Sequence, residues 1–199
     1  MTGWYLMRAT GIVSLVLFTL VTVLGIATAA RLGPRRGPRF VTLGLHRSMS
    51  LLAVVFIGIH VTTAILDPYA HVSALAAIVP FTARWRPLAV GLGTVSLDLV
   101  AALIVTSLLR RHLSLRVWRG VHLLAYVSWP VAVWHTIGAG SDWSAGWVRA
   151  IVAGCVAAVL VAVLYRLPRP GRLPKHLAAL YRLPRPGRLP KHLAAQVRP

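Results

Sequence analysis

Residues 41–66 read VTLGLHRSMSLLAVVFIGIHVTTAIL, a stretch in which apolar side chains predominate from end to end. A hydrocarbon core of about 30 Å requires roughly 20 helical residues, so this stretch is long enough to cross a membrane as a helix. Four further stretches have comparable length and composition, namely residues 10–30, 87–109, 117–137 and 145–165. None of them alternates apolar with polar residues as a membrane β-strand does. The sequence therefore predicts an all-α, polytopic transmembrane bundle of about five spans.

The composition of the chain agrees with a membrane protein. Of its 199 residues 57% are apolar, and the mean hydropathy is +0.73, which is more than one soluble domain of this size buries. The formal net charge of +19 is typical of nucleic-acid-binding proteins. Here, however, the basic residues lie between the apolar stretches, which favours a multi-pass protein of the cell membrane and excludes a nucleic-acid partner. Cys155 is the single cysteine, which excludes an intrachain disulfide and a cysteine-based metal site.

Two apolar segments need separate interpretation. Residues 72–81 are too few to span a bilayer and contain Pro80, so we predict an interfacial or re-entrant segment there. The first stretch, residues 10–30, has small residues near its end, as signal peptides do. Its apolar run is longer than the roughly 7 to 15 residues of a signal peptide, so we predict that it is retained as a span.

The distribution of basic residues predicts the orientation of the bundle. Of the 22 Lys and Arg residues, eighteen flank the first and third connections or follow the last span. The remaining four are Arg8, Arg84, Arg86 and Arg149. The positive-inside rule then places the N-terminus outside and the C-terminus in the cytoplasm. Spans 41–66 and 117–137 therefore run in parallel, both from the inside to the outside.

Four histidines lie within these two parallel spans. His46 and His60 are 14 residues apart, and His122 and His135 are 13 residues apart, so each pair covers roughly 20 Å of helix. Ionisable residues within a bilayer are costly and indicate function. Because the helices are parallel, we expect His46 to lie level with His122 near the cytoplasm, and His60 level with His135 near the outside.

We predict that the histidines of each pair bind iron, because two facing imidazoles can supply both axial ligands of a haem. Two stacked haems would carry single electrons across the membrane. A zinc or copper site is disfavoured because the two levels are far apart and no Cys or Glu completes a tetrahedral set. The alternative is a non-haem membrane partner or transporter-like protein in which the histidines only form hydrogen bonds between helices.

The angular positions of the histidines differ between the two spans. Fourteen residues are nearly four turns at about 3.6 residues per turn, so His46 and His60 share a helix face. Thirteen residues leave His122 and His135 roughly 140° out of register on an ideal helix. Pro130 lies between them and distorts a helix because it lacks a backbone N–H. We expect this distortion to turn His135 towards His60.

Several arginines are candidates for binding the carboxylates of a haem. Arg47 follows His46, and Arg119 precedes His122 by three residues, so both are predicted partners of haem propionates near the cytoplasm. The candidates for the same role on the outer side are Arg84, Arg86 and Arg149. The alternative role of all five is to anchor the helices at the membrane interface.

The residues that carry a family resemblance are His46-Arg47, His60, Trp118-Arg119, Val121, His122, Tyr126 and His135. With their spacings of 14 and 13, they make residues 5–165 similar to the ferric reductase-like transmembrane domain. That superfamily includes the membrane parts of ferric reductases and NADPH oxidases, and the haem subunit of the periplasmic methionine sulfoxide reductase system.

The resemblance implies two b-type haems, one held by His46 with His122 and the other by His60 with His135. It also implies a membrane cytochrome that passes electrons to an extracytoplasmic acceptor such as ferric iron, a flavoprotein or an oxidised protein. Full-length reductases continue into a flavin and nicotinamide domain, whereas this chain shows no G-x-G-x-x-G pattern. We therefore expect a separate electron donor, a flavoprotein reductase or a quinol. Family members also often have six spans, one more than predicted here.

Two features lie outside the histidine pairs. Asp98, midway along the third span, is expected to be protonated, to bond to Ser96 or Thr94, or to pair with an arginine of another helix, and a role in proton or electron coupling is the functional alternative. After the bundle of residues 1–165, residues 166–199 form a basic, proline-rich tail in which residues 164–179, LYRLPRPGRLPKHLAA, recur as 180–195. We predict an extended cytoplasmic strip that binds anionic lipid or an acidic donor, or remains solvated.

Overall fold

The computed structural model describes residues 2–29 and 39–166, and this part of the chain is helical with short connections and turns. Its α-helices are α1 (Thr2–Ala29), α2 (Arg39–Leu66), α3 (Ala74–Ile78), α4 (Pro87–Leu108), α5 (Leu115–His122), α6 (Ala125–Ala139) and α7 (Gly146–Arg166). Turns of 3-10 helix occupy Arg110–His112 and Ser141–Ser144. The basic tail beyond Arg166, with most of its repeat, lies outside the described residues.

Four of the predicted spans are continuous helices. α1, α2, α4 and α7 have 21 to 28 residues each and are apolar enough to cross a membrane. α1 begins eight residues before the predicted start, because Trp4, Tyr5 and Leu6 extend the apolar run towards the N-terminus. The prediction of an all-α transmembrane bundle is confirmed, whereas the orientation of the bundle stays a prediction.

The fourth predicted span is divided into two helices. α5 ends at His122 and α6 begins at Ala125, and the residues between them form tight turns. The N–H of Leu124 donates to the carbonyl of Val121 at 2.9 Å, a bond across three residues instead of four. The sequence predicted a distortion at Pro130, but the interruption lies six residues earlier, at Leu124. Pro130 lies inside α6, because a proline removes only one bond of the helix.

The short apolar segment forms α3 and folds back against α4. Ser73 caps α3 by accepting a hydrogen bond from the Ala76 N–H at 3.2 Å. The carbonyl of Ala76 in turn accepts from Thr94 Oγ1 at 2.7 Å. Phe81 contacts α4 at Gly91, where a Cβ would collide with the phenyl ring. The segment thus packs back against α4 and does not span the bundle, and its interfacial or re-entrant placement stays a prediction.

α1 lies at the centre of the bundle and packs against α2, α6 and α7. The core that α1, α6 and α7 form consists of Leu15, Phe18, Ile26, Trp129, Val133, Val152, Cys155 and Val159. The indole N–H of Trp129 donates to Thr19 Oγ1 at 2.9 Å, which ties α6 to α1. α2 packs mainly on α1, and α4 mainly on α6, so two helix pairs meet along α1 and α6.

Asp98 is exposed on α4. The two hydroxyls predicted to bond to it face other segments, since Ser96 Oγ pairs with Ser128 Oγ at 3.1 Å and Thr94 binds α3. Neither of the predicted hydroxyl bonds to Asp98 therefore forms within the described residues. Asp98 lies midway along α4, as the sequence predicted.

Candidate functional site

The structure brings the four intramembrane histidines together as two facing pairs. The ring centroids of His46 and His122 are 6.4 Å apart with an interplanar angle of 65°. Those of His60 and His135 are 6.3 Å apart at 71°. His46 and His60 come from the uninterrupted helix α2, whereas the break before α6 separates His122 from His135. This break changes the phase of the helix and lets both histidines face α2.

Three of the four imidazoles bond through Nδ1 to a backbone carbonyl. His60 Nδ1 lies 2.8 Å from the carbonyl of Met7, and His135 Nδ1 lies 2.8 Å from that of Ala89. His46 Nδ1 lies 3.2 Å from the carbonyl of Val21. Because a carbonyl oxygen only accepts, Nδ1 carries the proton, and the lone pair is on Nε2. This is the arrangement that metal-binding histidines adopt.

Each of these carbonyls is followed four residues later by a glycine that the ring touches. A Cβ on Gly11 would lie 2.9 Å from His60 Cε1, and one on Gly93 would lie 2.6 Å from His135 Cε1. Gly25 takes the same position beside His46. Glycine therefore lets the rings of His60 and His135 lie against the helix backbone and reach the carbonyl, whereas a Cβ on Gly25 would make an ordinary contact of 3.5 Å with His46 Cε1. We call the carbonyl at position i with the glycine at i+4 a carbonyl–glycine cradle.

The cradles were missed by sequence reasoning, although the sequence holds a signal for them. Gly11 and Gly25 are 14 residues apart, the same spacing as His46 and His60. α1 and α2 are consecutive helices that pack together. Because the two glycines of α1 and the two histidines of α2 have the same spacing, each glycine lies beside one histidine.

His122 is positioned differently from the other three histidines. Its ring stacks on Trp118, one turn earlier in α5, with centroids 4.8 Å apart and an interplanar angle of 24°. The guanidinium of Arg110 lies 4.7 Å from the centroid of the same indole. His122 Nδ1 is buried and has no hydrogen-bond partner among the described residues. Stacking, not a carbonyl, therefore orients this imidazole.

A cavity of about 240 Å³ lies at the level of His60 and His135. Residues of α1, α2, α4 and α6 line it, and most of them are apolar or small. Its polar lining includes the ion pair of Arg8 and Asp142. A group bound here is thus shielded by apolar helices and faces both imidazoles.

Comparison with known proteins decides the family. The family model described as ferric reductase like transmembrane component matches residues 10–133, which is more than half of the chain. This chain belongs to the ferric reductase-like transmembrane family. The match includes His46, His60 and His122 and ends two residues before His135. No curated protein and no solved structure matches the chain.

Membership assigns this ferric reductase-like bundle a general role in membrane electron transfer. Domains of this family generally bind haem and work with separate redox partners. The histidine pairs can be tested for their fit to such a group. Metal–nitrogen bonds of about 2.0 Å, with roughly 1.1 Å more from nitrogen to ring centre, separate two trans imidazoles by about 6.2 Å. The observed separations of 6.4 and 6.3 Å match this value.

The same distance is too long for a direct bond between the rings. An N–H···N bond of about 2.9 Å would bring the centroids to roughly 5 Å. Within residues 2–29 and 39–166, no three His, Cys, Asp or Glu side chains come together as a metal site. Each level thus offers two imidazoles, a donor set that would suit a haem iron.

The role of the arginines predicted to bind propionates stays a prediction. Arg47 and Arg119, predicted for the inner level, are exposed on α2 and α5. Arg86 donates to the carbonyl of Gly138 and lies over the ring of Trp85 at 4.9 Å. Arg84 and Arg149 are exposed. Arg8, for which the sequence suggested no role, lines the cavity instead.

Proposed function

We propose that this protein is a b-type cytochrome with two haems, one between His46 and His122 and the other between His60 and His135. The supporting observation is that the rings of each pair are separated by a distance that would admit one metal ion between them. The free Nε2 atoms of three of the four rings agree with it. Haem supplies a centre that takes up and releases one electron, which side chains and lipid do not provide.

The residues of this chain hold, orient and shield the two groups. His46 and His60 are 14 residues apart on α2, so their levels differ by roughly 21 Å along the helix. The cradles fix three imidazoles through backbone carbonyls, and Trp118 fixes the fourth by stacking. Apolar helices enclose the outer level, which would favour electron transfer over side reactions there.

The direction of transfer follows from the predicted orientation. Electrons enter at the level of His46 and His122 from a separate flavoprotein reductase or a quinol. They leave at the level of His60 and His135 for an extracytoplasmic acceptor, which is ferric iron, a flavoprotein or an oxidised protein. Residues 1–165 act as the electron-transfer unit, and the basic tail is proposed to bind anionic lipid or the acidic surface of the donor.

A reduced-minus-oxidised spectrum of membranes that contain the protein tests this proposal. We expect b-type bands and two haems per chain in the purified protein. His46→Ala and His122→Ala each remove the inner haem, whereas His60→Ala and His135→Ala each remove the outer one. His112→Ala is the control, because His112 is exposed in the turn before α5.

The absence of haem from the wild-type protein would overturn the proposal. The histidines would then act as hydrogen-bond donors to carbonyls of neighbouring helices, for which the Nδ1 contacts alone suffice.

A further inference from the structure

Arg8 occupies an unusual place for a charged side chain. It follows Met7, whose carbonyl binds His60, and precedes by one turn Gly11, which touches the same ring. It lines the cavity together with His60 and His135, and its side chain is 19% exposed. Among the Lys and Arg residues that the structure describes, Arg8 is the one that lines this cavity.

The partner of Arg8 is Asp142, in the 3-10 turn between α6 and α7. Asp142 also lines the cavity, and its side chain is 37% exposed, about twice as much as that of Arg8. A guanidinium carries five N–H donors, and one carboxylate accepts from two of them. Arg8 therefore keeps donors for a second anion while Asp142 keeps its charge compensated.

We propose that Arg8 binds an anionic group within the outer cavity and that Asp142 orients its guanidinium; this rests on the haem function proposed above. Arginine holds carboxylates and similar anions through charge-assisted hydrogen bonds. Two sources supply that chemistry at this place. One is a propionate of the outer haem, and the other is an anionic electron acceptor that enters from outside.

Arg8→Gln, Arg8→Lys and Asp142→Asn test the proposal in purified full-length protein. Arg116→Gln is the matched control, since it removes one positive charge from α5 at an exposed position that does not line the cavity. Haem content is measured first. The reduced protein is then oxidised by ferricyanide, an anion, or by hexaammineruthenium(III), a cation, and the KM for each oxidant is determined.

Each source gives its own result. If the anion is a propionate, Arg8→Gln lowers the haem content from two towards one per chain, and the haem that remains is the inner one, which His46→Ala removes. If the anion comes from outside, Arg8→Gln keeps two haems and raises the KM for ferricyanide about tenfold or more, the loss expected for a charge-assisted hydrogen bond. The KM for the ruthenium complex does not rise in this second case. In both cases Arg8→Lys keeps most of the haem content or of the affinity for ferricyanide that Arg8→Gln loses.

Asp142→Asn reports on the same site if Arg8→Gln fails to fold. It removes the carboxylate charge that orients the guanidinium, so it lowers the haem content or raises the KM for ferricyanide in the same direction as Arg8→Gln, but to a smaller extent. The proposal is overturned if both haems and both KM values are unchanged and Arg8→Gln and Asp142→Asn reduce thermal stability equally. The ion pair would then only tie α1 to the turn before α7. Wild-type protein without haem would overturn the proposed function itself, and the role of Arg8 with it.

Discussion

At the scale of single residues, the site depends on the two nitrogens of each imidazole. A carbonyl holds the proton on Nδ1 in three of the four rings, which leaves the lone pair of Nε2 as the nitrogen ligand. Such partners of a ligand orient the ring and raise its basicity. A Cβ at Gly11 or Gly93 would obstruct the approach of the ring to the carbonyl, so in these two cradles the glycine matters as much as the histidine.

Gly93→Ala tests the cradle of the outer site. The new Cβ would lie 2.6 Å from His135 Cε1 and Nδ1, so the ring must leave the carbonyl of Ala89. We expect the haem content of the purified protein to fall from two towards one per chain, with a loss of stability of about 1–3 kcal/mol. The inner haem is retained.

Gly154→Ala is the control for this change, because nothing lies within 4 Å of a Cβ at that position of α7. It keeps two haems and stabilises the helix slightly. Retention of the outer haem in Gly93→Ala would contradict the importance of the cradle.

At the scale of helices, sequence patterns predicted α1, α2, α4 and α7 because each is a long apolar run without interruption. They also indicated the pairing of the histidines, since α2 keeps its period from His46 to His60. The sequence did not allow us to predict where the helix breaks before α6. Gly120 weakens α5 there, but whether a helix tightens, bends or breaks is decided by what its neighbours hold in place.

A one-residue insertion between Leu123 and Leu124 tests the role of this break. α6 is held by the core, where Ser128 is fully buried and Trp129 bonds to Thr19. α5 contributes no buried residue among its eight. The insertion therefore turns α5 by about 100° and moves His122 away from His46, while His135 stays opposite His60.

The purified insertion variant is expected to hold one haem per chain. Adding His135→Ala removes that haem, and adding His122→Ala leaves it in place. The opposite pattern would show that α5 is the fixed helix and α6 the one that yields.

At the scale of the whole molecule, two helix pairs face each other along α1 and α6, and α7 packs on α1 beyond the family match. The sequence predicted this bundle and its four histidines, but not the role of α1. Ionisable residues deep in a span indicate a site, but Gly11 and Met7 are not ionisable and Arg8 precedes the predicted span. Only the packing of α1 beside α2 connects these residues with the site.

The orientation of the bundle is tested by labelling single cysteines in a Cys155→Ala background. Cys155 is buried, so its replacement removes the intrinsic thiol without opening the surface. The positive-inside rule places Ser144, between α6 and α7, outside and Arg111, between α4 and α5, inside. A membrane-impermeant maleimide therefore labels Ser144→Cys in intact cells and Arg111→Cys only after lysis. Labelling of Arg111→Cys in intact cells would reverse the proposed direction of electron flow.

The carbonyl–glycine cradle also has a consequence for protein design. It requires one glycine on a helix and one histidine on the helix beside it, because every helical residue already offers the carbonyl. The unit is therefore portable: moved along both helices by whole turns, it would set the depth of a cofactor without redesign of the rest of the bundle. An engineer who wishes to lengthen or shorten an electron path through a membrane could start from these two residues.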